Sequence, residues 1–547
     1  MEAEEQGFRG PRGTFTIKLW PPSKTTRAML VERMTKNLSA ESIFSRKYGL
    51  LSEEEARLDA EELEETGYAI ANDFFEKGDD DGSSTVQLYA KETSKLMLEV
   101  IKRGPKQKKN NGSVDKLDMD STRPKMVFDI SGGQRAFLEG EEAEELLKPL
   151  TVEGSLYSKI CISNRSFGLD AANIAGPILA SLKHQLNEVD LSDFIAGRPE
   201  DEALEVMRIF SKALEGCVLR YLNLSNNALG EKGVRAFDSL LKSQNNLEEL
   251  YLMNDGISPE AAEAVCELIP STEKLKVLHF HNNMSGDEGG IAIAAIVKKS
   301  LLLEDFRCSS TRVDSVGGVK LAESLGTCLH LKKIDIRDNM FGIEAGIVLS
   351  KTIQKLHGLT ELYLSYLNLE DEGSIAILKA LKEVAPSLEV MEIAGNGITS
   401  KAVNVIVEFI SLKQNLHTLN LSENELMDEG AIEIGKTLEK GNAKLKELDM
   451  SCNEIRRAGA RCLVQAVVTN KPEFTLLNIN GNAISDEGID EVKEILKSAN
   501  SGDVLGPLDE NDVDGEGGSE GEEVEVEVEV GQSELESQLQ HLNVGGT

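Results

Sequence analysis

Apolar and polar positions in this chain repeat on a long period. The stretch Leu247-Glu-Glu-Leu250-Tyr-Leu252-Met-Asn254-Asp255-Gly-Ile257 sets leucines two or three apart and closes on a polar step. The same figure recurs from about residue 157 to 485. Its closing step falls on Asn227, Asp255, Asn283, Thr311, Asn339, Leu367, Asn396, Asn424, Asn453 and Asn482, always 28 or 29 residues apart. Within a unit, a period-two stretch such as Leu250-Tyr-Leu252 precedes one of helical spacing such as Pro259-Glu-Ala-Ala-Glu-Ala-Val-Cys-Glu-Leu268. A fixed period of this length marks one strand and one helix per unit.

Strand side chains alternate, so Leu250 and Leu252 point inward while Tyr251 points out. Stacking the units gives a parallel sheet with helices along the other side. No unit buries its apolar face alone, so stability sums unit and neighbour contributions. The predicted fold is α/β, a leucine-rich-repeat solenoid in the form of a ribonuclease-inhibitor-like horseshoe. The asparagines of the closing step are expected to turn inward onto loop main chain. Asn254 is different. Asp255 takes the inward position in its unit, which leaves Asn254 on the rim with an unpaired amide side chain, and repeat physics alone reads that as an ordinary solvated polar residue.

Flanking patterns divide the rest. Residues 1–14 are polar and flexible. Residues 15–104 read as a small all-α domain, with helices over Arg27–Met34, Ser39–Tyr48, from Ser52 toward Phe75, and from about Ser84 to Lys102. Ser52-Glu-Glu-Glu55 puts acids in a first turn, where the helix dipole favours them. Residues 105–125 have linker composition. The repeat domain covers 126–500, with Phe128–Leu150 as a cap and an insertion, Asp193-Phe-Ile-Ala-Gly-Arg198-Pro-Glu-Asp-Glu202, that lengthens one loop. Residues 501–547 hold no Lys or Arg and run through Glu522-Glu-Val-Glu-Val-Glu-Val-Glu-Val530, an acidic, disordered tail in which like charges would line one face of any strand.

The net charge of −35 excludes a nucleic-acid backbone or an anionic membrane surface as main partner. No run of 18 or more apolar residues exists to enter a membrane. Met1-Glu-Ala-Glu-Glu5 has no apolar signal core, and seven cysteines without a CxxC pair fit reduced thiols in the cytosol. Cys161 is expected at an outward strand position. Gly430-Ala-Ile-Glu-Ile-Gly435-Lys436-Thr437 satisfies the phosphate-loop pattern, yet Gly430 occupies the site of the repeat glycines Gly233, Gly289 and Gly317 at the start of an outer helix. Helical residues there cannot cradle phosphates. Asp79-Asp-Asp81-Gly82 lacks the closing glutamate of a calcium loop, since Leu88 stands in its place. No complete constellation for bond-breaking chemistry is present, and no metal site is expected. Trp20-Pro21-Pro22 carries the only tryptophan, and reads as a rigid lead-in or as a docking point.

The repeat array with Asp-Phe-Ile-Ala-Gly-Arg198, Leu-Tyr-Leu-Met-Asn254-Asp-Gly and an acidic tail resembles the Ran GTPase-activating proteins. The front part, with Lys18-Leu-Trp20-Pro-Pro-Ser-Lys-Thr-Thr-Arg27 and Phe44-Ser-Arg-Lys-Tyr-Gly-Leu50, resembles the WPP domain that plant members carry. The resemblance implies stimulation of GTP hydrolysis on Ran, in support of nucleocytoplasmic transport and mitotic functions. It implies no cofactor of the chain's own, because nucleotide, magnesium and catalytic glutamine belong to Ran. The family's glutamine-positioning asparagine falls on Asn254, and its loop arginine, a Ran contact that stays out of the nucleotide site, falls on Arg198. Some relatives have a lysine two residues further on, where this chain has Glu200. Trp20, Pro21 and Pro22 would dock on nuclear-envelope proteins and hold the protein at the cytoplasmic face of the envelope. The rival readings are a non-catalytic repeat scaffold or inhibitor and, last, an immune-receptor repeat domain.

Overall fold

The computed structural model describes residues 20–22, 24–39, 51–76, 83–103, 126–132, 135–152, 154, 156–441, 444–470, 473–499 and 504–512. The helix expected over Ser39–Tyr48 lies outside these beyond its first residue. So do the Asp79–Gly82 loop, all of the 105–125 linker region, residues 1–14 and the Glu-Val stretch of the tail. The chain divides into two compact units, Met1–Ser121 and Thr122–Thr547.

The first unit contains helices Lys24–Ser39, Glu53–Glu76 and Ser83–Arg103. Ser52 Oγ accepts from Glu55 N at 3.3 Å, a serine cap ahead of the acidic first turn. Met34, Leu38, Ala60, Leu63 and Val100 fill the space between the helices.

In the second unit, a 13-stranded sheet runs from Met126–Asp129 to Leu476–Asn478, with successive strands parallel. Register is in phase: Glu249, Leu250 and Tyr251 face Val277, Leu278 and His279. In the three-residue strands of this sheet the centre is buried, as with Leu222, Leu250, Leu278, Phe306 and Ile334, while the flanks are more open except at His279 and Asp335. Each such side chain removed from water contributes roughly 1.5–3 kcal/mol. A second, two-stranded sheet joins Ala136–Leu138 to Arg165–Phe167 at the front of the stack. Cys161 stands at an outward strand position, as expected, in register with Asp190, although its small side chain is only 9% exposed.

Neighbouring units are tied by aspartates that serve the next helix. Asp287 Oδ1 accepts from Asp314 N at 3.0 Å and Gly317 N at 2.8 Å, and Asp428 Oδ1 accepts from Arg456 N and Gly459 N. These bonds satisfy helix-start N–H groups that have no partner within their own helix. The helix Met427–Lys440 includes the whole phosphate-loop match. A Cβ on Gly430 would come within 2.9 Å of Leu426 in its own unit and 3.3 Å of Val403 in the preceding one, so the glycine answers to close packing at the helix start.

The array does not stop at residue 500. Leu505 bridges Leu477 in parallel, Asn511 Oδ1 accepts from Asn482 N at 2.9 Å, and Asp512 N donates to Asn482 O at 2.7 Å. Residues 504–512 therefore close the last unit, whose main-chain groups would otherwise lack a neighbour. The expected tail boundary at 501 is placed too early.

Candidate functional site

The closing step of each unit forms two lines of side chains, one inside and one on the rim. Inside, Asn227 Nδ2 donates to Leu191 O and Leu224 O at 2.8 and 2.7 Å, and Asn283 Oδ1 accepts from Asp255 N and Ile257 N, both at 3.0 Å. Asn339, Asn396, Asn424 and Asn482 repeat these bonds. They satisfy the buried main chain where each strand turns, as expected.

One residue earlier, the backbone enters the left-handed region in unit after unit: φ is +65° at Asn226, +55° at Asn254, +56° at Asn282 and +53° at Ser310. Asparagine tolerates this conformation better than other residues with a Cβ. The turn also points its side chain away from the stack, and Asn254 is exposed. Its amide is nonetheless not alone. Asn254 Nδ2 donates to Asn226 Oδ1 at 2.7 Å, and Asn282 Nδ2 donates to Asn254 Oδ1. The expectation of an unpaired rim amide is corrected: three consecutive units each supply an asparagine to a chain of amide hydrogen bonds. An amide has two donor hydrogens and two acceptor lone pairs. The pairing fixes the Asn254 plane and leaves one of each for a visitor.

Beside this chain lies a cleft of about 670 Å³, lined by Asn254, Asn282, Met284, Ser310, Arg312 and Met340 among others. Below it, on the open sheet face, Tyr221 and Tyr251 have ring centroids 5.3 Å apart, and Tyr251 meets His279 edge-on at 4.9 Å. His279 Nε2 is 3.2 Å from Asp305 Oδ1. Burial works against the Asp305 charge, but the bonds from His279 and Arg307 hold its pKa down to about 2. His281, by contrast, is pushed down by burial and by the neighbouring His279 and Arg307, which favours its neutral form. Burial also pushes the Tyr251 hydroxyl up, helped by its bond to Glu249, so it remains a donor.

Arg198 lies in the inserted loop, where sequence reading placed it, but its guanidinium turns into the chain. Only 9% of the side chain is exposed. Nε donates to Ser166 Oγ at 3.2 Å, Nη1 to Glu139 Oε1 at 2.7 Å, and Nη2 to Ser166 O at 2.7 Å and Leu138 O at 3.2 Å. The Phe137 ring lies 5.1 Å away. Gly197, at φ +79°, lets the loop close on that ring, since a Cβ there would come within 2.9 Å of it. At the other end of the loop, Asp193 accepts two bonds from Arg135, at 2.9 and 2.7 Å, and Phe194 is buried against Phe210. Arg198 thus braces the loop from within. Its hydrogen-bonding partners sit on the front two-stranded sheet, a pairing that no local pattern announced.

Trp20 lies inside the first unit, in a small cluster with Ala71 and Tyr89. It is 2% exposed, with its ring stacked on Tyr68 at 5.2 Å, edge-on to Tyr89 at 5.4 Å, and its Nε1 donating to Asn72 Oδ1 at 3.2 Å. Next to it, Arg27 grips Glu64 at 2.7 and 2.6 Å and lies over the Tyr68 ring, while Tyr89 donates to Glu64 Oε1 at 2.8 Å. An indole with so much apolar area belongs in a core when one is within reach. Pro21 is exposed and Pro22 half-buried, so the prolines alone remain on the surface. No helix among the described residues is long and apolar enough to cross a membrane.

Comparison with known proteins agrees with this architecture. The WPP domain family matches residues 16–111, and the Leucine Rich repeat family matches 217–237, 413–435, 441–464 and 474–492. RAN GTPase-activating protein 2 of Arabidopsis thaliana is 60% identical over 504 residues, and RAN GTPase-activating protein 1 of the same plant is 61% identical over 502. Each alignment covers 92% of both chains. WPP domain-containing protein 2 of Arabidopsis is 37% identical over 122 residues, 22% of this chain and 67% of that protein. A helical WPP domain followed by a leucine-rich-repeat solenoid defines the class. Within it, the chain belongs to the Ran GTPase-activating protein family.

Proposed function

We propose that this chain stimulates GTP hydrolysis on Ran, and that Asn254 does so by aligning Ran's catalytic glutamine. The observation that carries the reading is the exposed Asn254 amide, fixed between Asn226 and Asn282 with a donor and an acceptor to spare. A GTPase needs its water oriented and its transition-state charge stabilised. An amide already held in place can dock a mobile glutamine at little further cost in freedom. In this reading nucleotide and magnesium come with Ran, and the chain has no hydrolytic site of its own. Arg198 supports the contact by holding the Asp193–Pro199 loop in shape. The WPP domain, through a surface that includes Pro21 and Pro22, binds anchor proteins and keeps the chain at the cytoplasmic face of the nuclear envelope.

The test is a single assay, in which GTP-loaded Ran receives catalytic amounts of the full chain. Release of phosphate accelerated by orders of magnitude is expected, with activators of the related Ras system reaching about 10⁵-fold. Binding without acceleration would instead make the chain a scaffold or inhibitor.

A further inference from the structure

Asp255 stands where other units place an inward asparagine, and a carboxyl group cannot do the same work in both its charge states. In neighbouring units the inward side chain donates to the carbonyl three residues back. Asn227 does so to Leu224 O at 2.7 Å, Thr311 Oγ1 to Cys308 O at 2.9 Å, and Asn339 to Ile336 O at 2.9 Å. Asp255 is 0% exposed. Its Oδ1 accepts from Asn227 N at 2.8 Å, while its Oδ2 has no donor against it. An ionised Oδ2 there would set its charge against carbonyl lone pairs in a dry interior, whereas a protonated one restores the missing donor.

We propose that Asp255 is a positioning residue for the rim turn: it stays a neutral carboxylic acid in the folded protein and donates its Oδ2 proton to the Leu252 carbonyl, holding the turn that presents Asn254. This deepens the reading of Asn254 given above and rests on it. Burial raises the proton affinity of Asp255 well above the usual aspartate range. The Asn227 N–H is the one group that opposes it, and no charged side chain contributes from the strands or helices packed around it. The sign of the pH effect follows. The folded chain keeps a proton that the unfolded chain loses in the ordinary aspartate range, so stability is greatest below that range. It falls as pH climbs toward the folded value.

The test compares the wild-type chain with Asp255→Asn, Asp255→Thr and Asp255→Leu; Leu367 shows that leucine is accepted at this place in another unit. Two arms need no Ran. Infrared difference spectra with ¹³C-labelled aspartate are expected to show a protonated carboxyl band at neutral pH that Asp255→Asn lacks. Melting temperature is expected to fall with rising pH in the wild type relative to Asp255→Asn, whose own profile lacks that component. In the third arm, single-turnover hydrolysis on Ran should be kept by the donor-bearing Asn and Thr variants and drop about tenfold or more in Asp255→Leu at unchanged affinity. Absence of the acid band, or parallel melting profiles for wild type and Asp255→Asn, overturns the proposal. If Asn254→Ala leaves hydrolysis untouched, the reading of the rim fails, and the first two arms still decide where the proton is.

Discussion

Asn254 and Asn226 lie 28 residues apart and are joined amide to amide, Asn254 Nδ2 donating to Asn226 Oδ1 at 2.7 Å. The bond has no apolar core to support, because both side chains stand on the rim. Its effect is to fix one orientation of an exposed side chain that would otherwise sample several rotamers.

Asn254→Ala removes the docking group and leaves the buried Asp255 and Asn283 bonds in place. Single-turnover GTP hydrolysis on Ran is expected to fall by about 10²–10³-fold, the loss typical of one preorganised polar group. Alanine is less at ease than asparagine at φ +55°, so the melting temperature of the repeat unit should fall only slightly, by the cost of about 1 kcal/mol. Hydrolysis at the wild-type rate would remove Asn254 from the mechanism.

The braces predict a graded result. Asn226→Ala and Asn282→Ala each delete one of two partners and leave the Asn254 amide held on one side only. About a tenfold loss of rate is expected from each, at near-constant affinity for Ran-GTP, because what is lost is alignment. In Asn254→Ala, adding Asn226→Ala should cost nothing further. Additive losses in that double mutant would show that Asn226 acts through some other contact.

Arg198→Ala should behave as a structural lesion that reaches Ran binding. It strips donors from Ser166 O and Glu139, while Leu138 O keeps its bond from Gly168 N, and loss of the partners of buried polar groups costs roughly 1–3 kcal/mol. The expected outcome is a lower melting temperature for the repeat unit, weaker Ran-GTP binding and a smaller loss of rate than Asn254→Ala gives. Arg198→Lys should recover little, since an ammonium cannot reproduce the fork that bonds Glu139 and Ser166 together. A collapse of catalysis without loss of stability or affinity would mean that the guanidinium leaves its partners and enters the reaction centre.

Periodic features of the fold were legible in the sequence, and what depends on remote pairing was not. The 28–29-residue step announces the strand, the helix and the inward asparagine of each unit, because each is set by neighbours close in the chain. It also dismisses the phosphate-loop match at Gly430, which lies inside the helix Met427–Lys440. The rim position of Asn254 followed from the inward position of Asp255. Its bonds to Asn226 and Asn282 could have been found by aligning units, since Asn226, Asn254 and Asn282 occupy one column. Arg198 and Trp20 gave no such signal. Their partners, Ser166 and Glu139 for one, Tyr68 and Tyr89 for the other, lie about 30 to 70 residues away without periodic relation. Leu505-Gly-Pro-Leu508-Asp-Glu-Asn511 is half a repeat figure, and the acidic composition after it hid the cap that it forms.

Trp20 and Pro21 separate docking from folding in the front unit. Trp20→Ala empties the space between Tyr68 and Tyr89, and loss of a buried aromatic of this size costs about 3–5 kcal/mol. That is a large fraction of the roughly 5–15 kcal/mol that holds a domain folded. Trp20→Ala should therefore abolish envelope staining, together with the helical signal of the isolated unit. Pro21 is exposed, so Pro21→Ala should leave the helical signal intact. If the prolines form part of the docking surface, Pro21→Ala alone moves the protein into the cytosol while the repeat unit retains full activity on Ran. Envelope staining that persists in Pro21→Ala, with loss only in Trp20→Ala, would mean that the tryptophan matters through the aromatic cluster it completes and that partners bind another face of the unit.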